Sequence, residues 1–389
     1  MSAGATYSQT ATERVFVGRP AAEAIAEEAE TQGAAHVFVM ASRTLNRETD
    51  EIAKIAKALG RRHAGIYDGM PAHAPRAAVL EAAAQARAAK ADLIVSIGGG
   101  SITDAAKIVT LCLKHDLETH DDMEPYHMYV GGDGAVVLPA FEGPDVRAVC
   151  VPTTLSGGEF NALSGATDEK AKLKQGYQHR LMAPVAVVLD PAMTVYTPEW
   201  LWLSTGVRAF DHAMETLGSF HSNEFCDGVA ENALRNLAEG LPRAKADAKD
   251  LDGRLKCQIG AWQSMIPVVA GVPMGISHAT GHALGGTFDV PHGHTSCVMA
   301  PYALAWNESV NGERQKRIAT ALGATGSASA AADKLIRGLG MPRSLGEVGV
   351  KESDLPHLAE AIMHDIWTRT NPRPIETADD VVSFLKTAL

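Results

Sequence analysis

Along the first half of the chain, short apolar runs alternate with amphipathic stretches. HVFVMAS (36–42) is a compact apolar run ending in small polar residues, and it predicts a strand. The stretch Thr49–Gly60 opens on a capping residue and sets Ile52, Ile55, Ala56 and Leu59 on one face, which predicts an amphipathic helix. HAGIYDG (63–69) predicts a second strand, Arg76–Lys90 an Ala-rich helix, and DLIVSIGGG (92–100) a buried strand running into glycines. RAVCVPTT (147–154) and APVAVVLD (183–190) predict further strands. Strands that are apolar throughout and alternate with helices call for a parallel sheet flanked by helices.

From Pro198 the pattern changes to long helical periodicities, beginning with TPEWLWLSTGVRAFDHAMETLGSF, and strand-like runs become rare through to Leu389. A boundary is expected near 191–197, giving an α/β domain over 1–194 and a helical domain over 195–389. The segment 115–146 is polar, acidic and Gly-rich, and reads as a long loop or small subdomain. There is no internal repeat.

A length of 389 residues with 46% hydrophobic and 21% charged positions suits two folded domains and argues against disorder. The net charge of -11 disfavours a nucleic-acid surface, which needs clustered Lys and Arg, but leaves room for a local basic pocket. Five scattered cysteines without a CxxC pair read as incidental thiols of a reduced, cytoplasmic protein. The first residues show no secretory pattern, and no apolar run is long enough for a membrane span.

Two loops and one cluster carry candidate chemistry. Gly98-Gly99-Gly100-Ser101 follows a predicted strand and opens a predicted helix that continues through Asp104 and Lys107. Glycine lets the backbone approach a pyrophosphate, and the helix start offers free N–H groups and partial positive charge. The bland alternative is a turn with Thr103 or Asp104 capping the helix. The spacing is not GxGxxG, so the general dinucleotide rule does not license the reading. The second loop, Val151–Glu159, holds Thr153, Thr154 and Ser156. In the second half, His278 and His282 stand at i, i+4 on one helical face; His292 follows on a loop after Pro291, and His212 sits in a helix over Arg208–Leu217. Such a set can hold a divalent metal, act as acid and base, or bind a carboxylate.

These motifs resemble the iron-containing alcohol dehydrogenase superfamily over nearly the whole chain. GGGSITDAAK, VPTTLSGGEF, GVRAFDHAMETLGS and SHATGHALGGTFDVPHGHTSCVMAP match its loop and helix motifs in its order. The resemblance implies a Rossmann-like, nucleotide-binding parallel-sheet domain and a C-terminal helical catalytic domain, the dehydroquinate synthase-like fold, with the active site in the cleft between them. It implies that Gly99, Gly100 and Ser101 contact the pyrophosphate of NAD(H) or NADP(H), that Thr153, Thr154 and Ser156 lie along the cofactor, and that Lys174 is near the nicotinamide ribose. The family's ligand histidines fall on His212, His278 and His292, and its active-site histidine on His282. The family also implies a homodimer or higher oligomer.

Two positions depart from the family pattern. The metal-binding aspartate falls on Arg208, and a guanidinium repels a cation instead of ligating it. Asp211 is not expected to substitute, because adjacent helix positions diverge by about 100°. At the end of the first predicted strand, where NAD-preferring members carry Asp, Ser42 stands before Arg43, which should tolerate a 2′-phosphate. Maleylacetate reductases share the missing aspartate, so the branch implied is theirs, with no metal expected. The expected reaction is hydride transfer between a nicotinamide and a carbonyl. His282 or His278 serves as acid and Arg208 as alkoxide stabiliser or clamp for a carboxylate-bearing small substrate. The alternative is a metal-dependent dehydrogenase of small alcohols. A non-catalytic nucleotide-binding protein on the same fold is disfavoured by the retention of both loops and all four histidines.

Overall fold

The computed structural model describes residues 6–132 and 135–389. The chain divides into two compact units, one spanning Thr10–Tyr196 and the other Thr197–Leu389 together with the N-terminal stretch up to Gln9. That stretch joins the helical unit through a ring contact of Tyr7 with Phe225, 6.1 Å between centroids.

The first unit runs β1 (Arg14–Val17), α1 (Ala21–Thr31), β2 (Val37–Ala41), α2 (Arg43–Glu48), α3 (Glu51–Leu59), β3 (His63–Tyr67), α4 (Arg76–Ala88), β4 (Leu93–Gly98) and α5 (Gly100–His115). It continues with α6 (His120–Met123), β5 (Tyr129–Val130), β6 (Val136–Val137), β7 (Arg147–Pro152), β8 (Leu163–Asp168), β9 (Leu173–Gln178) and β10 (Ala186–Leu189). Six strands form one sheet in the order β1-β10-β7-β4-β2-β3, with every pairing parallel. β2, β4 and β10 are buried along their whole length, which is why they read as unbroken apolar runs. Ile25 of α1 and Ile52 and Ile55 of α3 pack on one face of the sheet; Val79 of α4 and Ile108 and Val109 of α5 pack on the other.

From β2 the chain steps outward to β3, and from β4 it steps the opposite way to β7. The strand order therefore reverses between β2 and β4. In open α/β sheets the crevice at the carboxyl ends of such a pair is where ligands bind. Ser42 and the Gly98–Ser101 loop stand at those two ends, joined by a hydrogen bond from Ser42 N to Ile97 O of 2.9 Å.

β1 and the β8–β9 hairpin escape a reading of hydrophobic pattern. β1 is only four residues long, so the strand ending at Ser42 is the second in the chain, not the first. β8 and β9 make an antiparallel hairpin. The segment 115–146 carries α6 and the two-residue β5–β6 pairing, and its positions 133–134 lie outside the described residues.

The second unit consists of α7 (Glu199–Gly218), α8 (Glu224–Ala246), α9 (Leu251–Val269), α10 (Ile276–Phe288), α11 (His292–Ala321), α12 (Ala328–Gly338), α13 (Leu355–Met363) and α14 (Ala378–Lys386). α7 is buried at sixteen of its twenty positions, including polar ones, so its polar side chains need internal partners. Among the described residues no helix is long and apolar enough to cross a membrane.

Candidate active site

In the first unit, α5 begins at Gly100 with Gly99 as its N-cap, and no side chain caps it. Thr103 and Asp104 lie inside the helix, so neither is the cap that the sequence allowed for. Gly98 has φ +158, and a Cβ there would come within 2.5 Å of Ile102 Cδ1. At Gly99 a Cβ would stand 3.2 Å from Thr154 Cγ2, and at Gly100 one would stand 3.5 Å from Ser156 Oγ. The two loops predicted to line the cofactor are thus in contact with each other. Thr154 Oγ1 and Ser156 Oγ share a hydrogen bond of 2.9 Å, and Thr153 N donates to Gly98 O at 3.0 Å. Ser101 Oγ accepts from His73 N at 3.0 Å, which leaves its own proton for an anion. An uncapped helix start of sixteen residues with backbone exposed by glycine suits a pyrophosphate.

Around this cradle, Asp104 lies between two lysines, 3.8 Å from Lys107 Nζ and 3.6 Å from Lys174 Nζ. Lys107 is buried and donates to the carbonyls of Gly158 and Leu163, tying α5 to the second loop. Burial pushes the Glu159 carboxyl of that loop up to about 7. A carboxyl raised in the folded state contributes stability below its ordinary pKa and loses it as pH rises toward the folded value. The loss amounts to roughly 3–4 kcal/mol by pH 8. Thermal melts of Glu159→Gln should therefore vary less between pH 5 and pH 8 than those of the unaltered protein. Equal pH dependence of the two would contradict the shift.

In the second unit, α7 presents Arg208, Asp211, His212 and Glu215 at i, i+3, i+4 and i+7, a single stripe. α10 presents His278, Gly281, His282 and Gly285 in the same way. A Cβ on Gly281 would meet Arg208 Nη1 at 3.2 Å, and one on Gly285 would meet His292 Cε1 at 2.8 Å. The missing side chains are what let Arg208 and His292 lie against α10. His292 is not on a loop: it is the first residue of α11, after Pro291 as N-cap.

The stripe on α7 brings Asp211 into the cluster, although the sequence expectation concerned only its failure to replace the metal-binding aspartate. Asp211 diverges from His212 by about 100°, but the two flank Arg208 on either side, and both reach the cluster. Asp211 Oδ2 accepts from Ser277 Oγ at 2.9 Å and from Ser296 Oγ at 2.7 Å, and lies 3.4 Å from His278 Nδ1 and 4.0 Å from Arg208 Nη1. Glu215 caps the start of α10 from outside, accepting from Gly275 N at 2.8 Å and Ser277 N at 2.9 Å, and bonds His278 Nδ1 at 2.8 Å. Burial pushes both carboxyls up and both His212 and His278 down, disfavouring the charged form of each.

His278 is thus buried against a carboxyl, with its cationic form disfavoured. His282 is different: its side chain is 43% exposed and its Nδ1 bonds Asp365 Oδ2 at 2.8 Å. Its ring centroid lies 6.4 Å from that of His292, while His212 and His278 pair at 4.8 Å. The sequence reading assigned no role to Glu215, Ser277, Ser296 or Asp365. The α7 periodicity alone could have found Glu215; Asp365 is 83 residues from His282 and has no local signal.

Whether these residues suit the metal of the family can be judged from their bonds. His212 Nδ1 and His278 Nε2 are buried without a partner, as ligand atoms would be. Against this, Arg208 stands at the carboxylate position and donates to Ser296 Oγ at 3.1 Å. Asp211 Oδ2 and Glu215 already accept hydrogen bonds, and they face the Nδ1 edge of His278, not its free nitrogen. A centre of three histidines and one carboxylate does not fit.

Comparison with known proteins agrees with both halves of this description. Residues 12–191 match the family described as iron-containing alcohol dehydrogenase, and residues 202–389 match the C-terminal part of the Fe-containing alcohol dehydrogenase family. A dehydrogenase of Alternaria alternata is 33% identical, covering 92% of this chain and 99% of its own. A maleylacetate reductase of Sphingobium indicum is 30% identical, covering 97% and 95%. Among solved structures, the maleylacetate reductase of Agrobacterium tumefaciens aligns with a TM-score of 0.83 at 27% identity, covering 100% of this chain and 98% of that one. The chain is thus an oxidoreductase that belongs to the iron-containing alcohol dehydrogenase family, in the branch of the maleylacetate reductases.

Proposed function

We propose that the protein uses NADH or NADPH to reduce the carbonyl of an oxo-acid, with side chains in place of a metal. The observation that carries this reading is Arg208, whose side chain is 12% exposed among histidines and whose chain hydrogen bond uses one of five donors. A guanidinium so placed can take a carboxylate by a bidentate, charge-assisted contact. The hydride passes from nicotinamide C4 to the carbonyl carbon. The carbonyl oxygen gains the electron pair and takes a proton from His282, whose ring Asp365 orients, yielding NAD(P)+ and a hydroxy acid. Turnover of saturated oxo-acids to hydroxy acids, compared with turnover of uncharged aldehydes, tests the assignment. A preference for uncharged aldehydes would overturn it.

One observation favours a second reading. The partnerless nitrogens of His212 and His278 would suit a metal-dependent alcohol dehydrogenase with His212, His278 and His292 as ligands. Metal analysis of protein prepared without chelators separates the two.

For the nucleotide, Ser42 caps α2 by accepting from Leu45 N at 3.3 Å, and exposed Arg43 follows. No carboxylate at this position repels a 2′-phosphate, so NADH and NADPH should both serve, with kcat/KM within a hundredfold. Aspartate caps a helix as well as serine does, so Ser42→Asp should fold normally and shift the preference toward NADH. An unchanged ratio would place the adenosine ribose elsewhere.

A further inference from the structure

Arg208 discriminates a carboxylate best when its guanidinium is already held, because a long side chain loses rotamer entropy when it is fixed in the bound state. Among the described residues its hydrogen bond within the chain is to Ser296 Oγ. The polarity of that bond is set one step further back. A serine hydroxyl has one proton. That of Ser296 goes to Asp211 Oδ2 at 2.7 Å, so the lone pairs of Oγ are turned toward the arginine. Ser277 donates to the same oxygen at 2.9 Å and holds the carboxyl from its other side. Asp211, Ser277 and Ser296 are all buried, and Gly281 leaves the space in which the guanidinium lies. Asp211 bonds Ser296 and Ser277 and also lies 3.4 Å from His278 Nδ1; the chain Arg208→Ser296→Asp211 runs across α7 and α11 with each donor pointing toward Asp211.

We propose that Ser296 and Asp211 are positioning residues that seat Arg208, and through it set the preference for an anionic over a neutral carbonyl substrate. This rests on the reading of Arg208 as a carboxylate clamp given above. It adds that discrimination depends on two side chains that need not touch the substrate.

The test compares succinic semialdehyde with its methyl ester, which keeps the carbon skeleton and removes the charge. The unaltered enzyme should prefer the acid at least a hundredfold in kcat/KM. Arg208→Met should abolish the preference; no preference in the unaltered enzyme, turnover of neither compound, or an unchanged ratio in Arg208→Met overturns the clamp itself. Ser296→Ala should lower the acid-to-ester ratio about tenfold through KM for the acid, with ester turnover held within twofold as a sign of intact folding. Ser296→Cys, which keeps the volume but bonds weakly, should do the same and covers a failure of the alanine variant to fold. In a double-mutant cycle Ser296→Ala and Asp211→Ala should be non-additive, the double variant discriminating no worse than the weaker single one. If Arg208→Met removes the preference while the Ser296 variants keep it, or if the two losses multiply, the seat is refuted and the clamp stands.

Discussion

Arg208→Asp is expected to cut kcat/KM for an oxo-acid by more than a hundredfold and to raise affinity for zinc or iron. On the proposed reading, the substitution replaces the cation that takes the substrate carboxylate with an anion. Losing a charge-assisted contact to a desolvated carboxylate typically costs about 2–5 kcal/mol, and the new repulsion adds to it. The same change places a carboxylate beside His212 and His278, whose partnerless Nδ1 and Nε2 are the donors still to be used. The unaltered enzyme, by contrast, should keep its activity after exhaustive chelation. Steady-state kinetics before and after chelation, with metal analysis of both proteins, decide the matter. Activity that chelation abolishes and added metal restores in the unaltered enzyme would mean that the histidines are ligands despite the arginine.

Gly99→Val is expected to abolish binding of NADH and NADPH and leave the protein folded. The backbone at Gly99 has φ -83, which any residue adopts, so the substitution is not strained there. What it changes is space. A Cβ at this position already stands 3.2 Å from Thr154 Cγ2, and the two further methyl groups of valine would enter the volume that the loops leave for phosphates. Fluorescence titration with NADH, with a thermal melt as control, measures this. Normal cofactor affinity in the folded variant would mean that Gly98–Ser101 is only a turn. Gly98 is the position where glycine is needed for the fold itself, since its φ of +158 and the contact with Ile102 exclude a side chain.

The two variants bear on different kinds of legibility. The apolar runs at β2, β4, β7 and β10 and the periodicity of α3 and α4 stand in the chain as local signals, because strands buried on both faces are mostly apolar. Glycines between a strand and a helix likewise announce a cradle before any fold is known. β1 and the β8–β9 hairpin carried no such signal: one is too short for a period, and the other is half exposed and paired locally.

The residue types at the catalytic cluster were determined by the sequence alone: an arginine where a carboxylate would be required for a metal, four histidines, and glycines at helical spacing among them. Helix geometry then implies which of them share a face, but the divergence of about 100° between Asp211 and His212 does not keep Asp211 out of the cluster. Only the tertiary structure decided which histidines are buried and which is exposed, because that depends on packing and on partners distant in sequence, Glu215 for His278 and Asp365 for His282. It also decided that Arg208 is held by Ser296, a residue 88 positions away on another helix. Burial raises the free energy of every unpaired charge, and the partners that relieve it are chosen by packing, which no local pattern records.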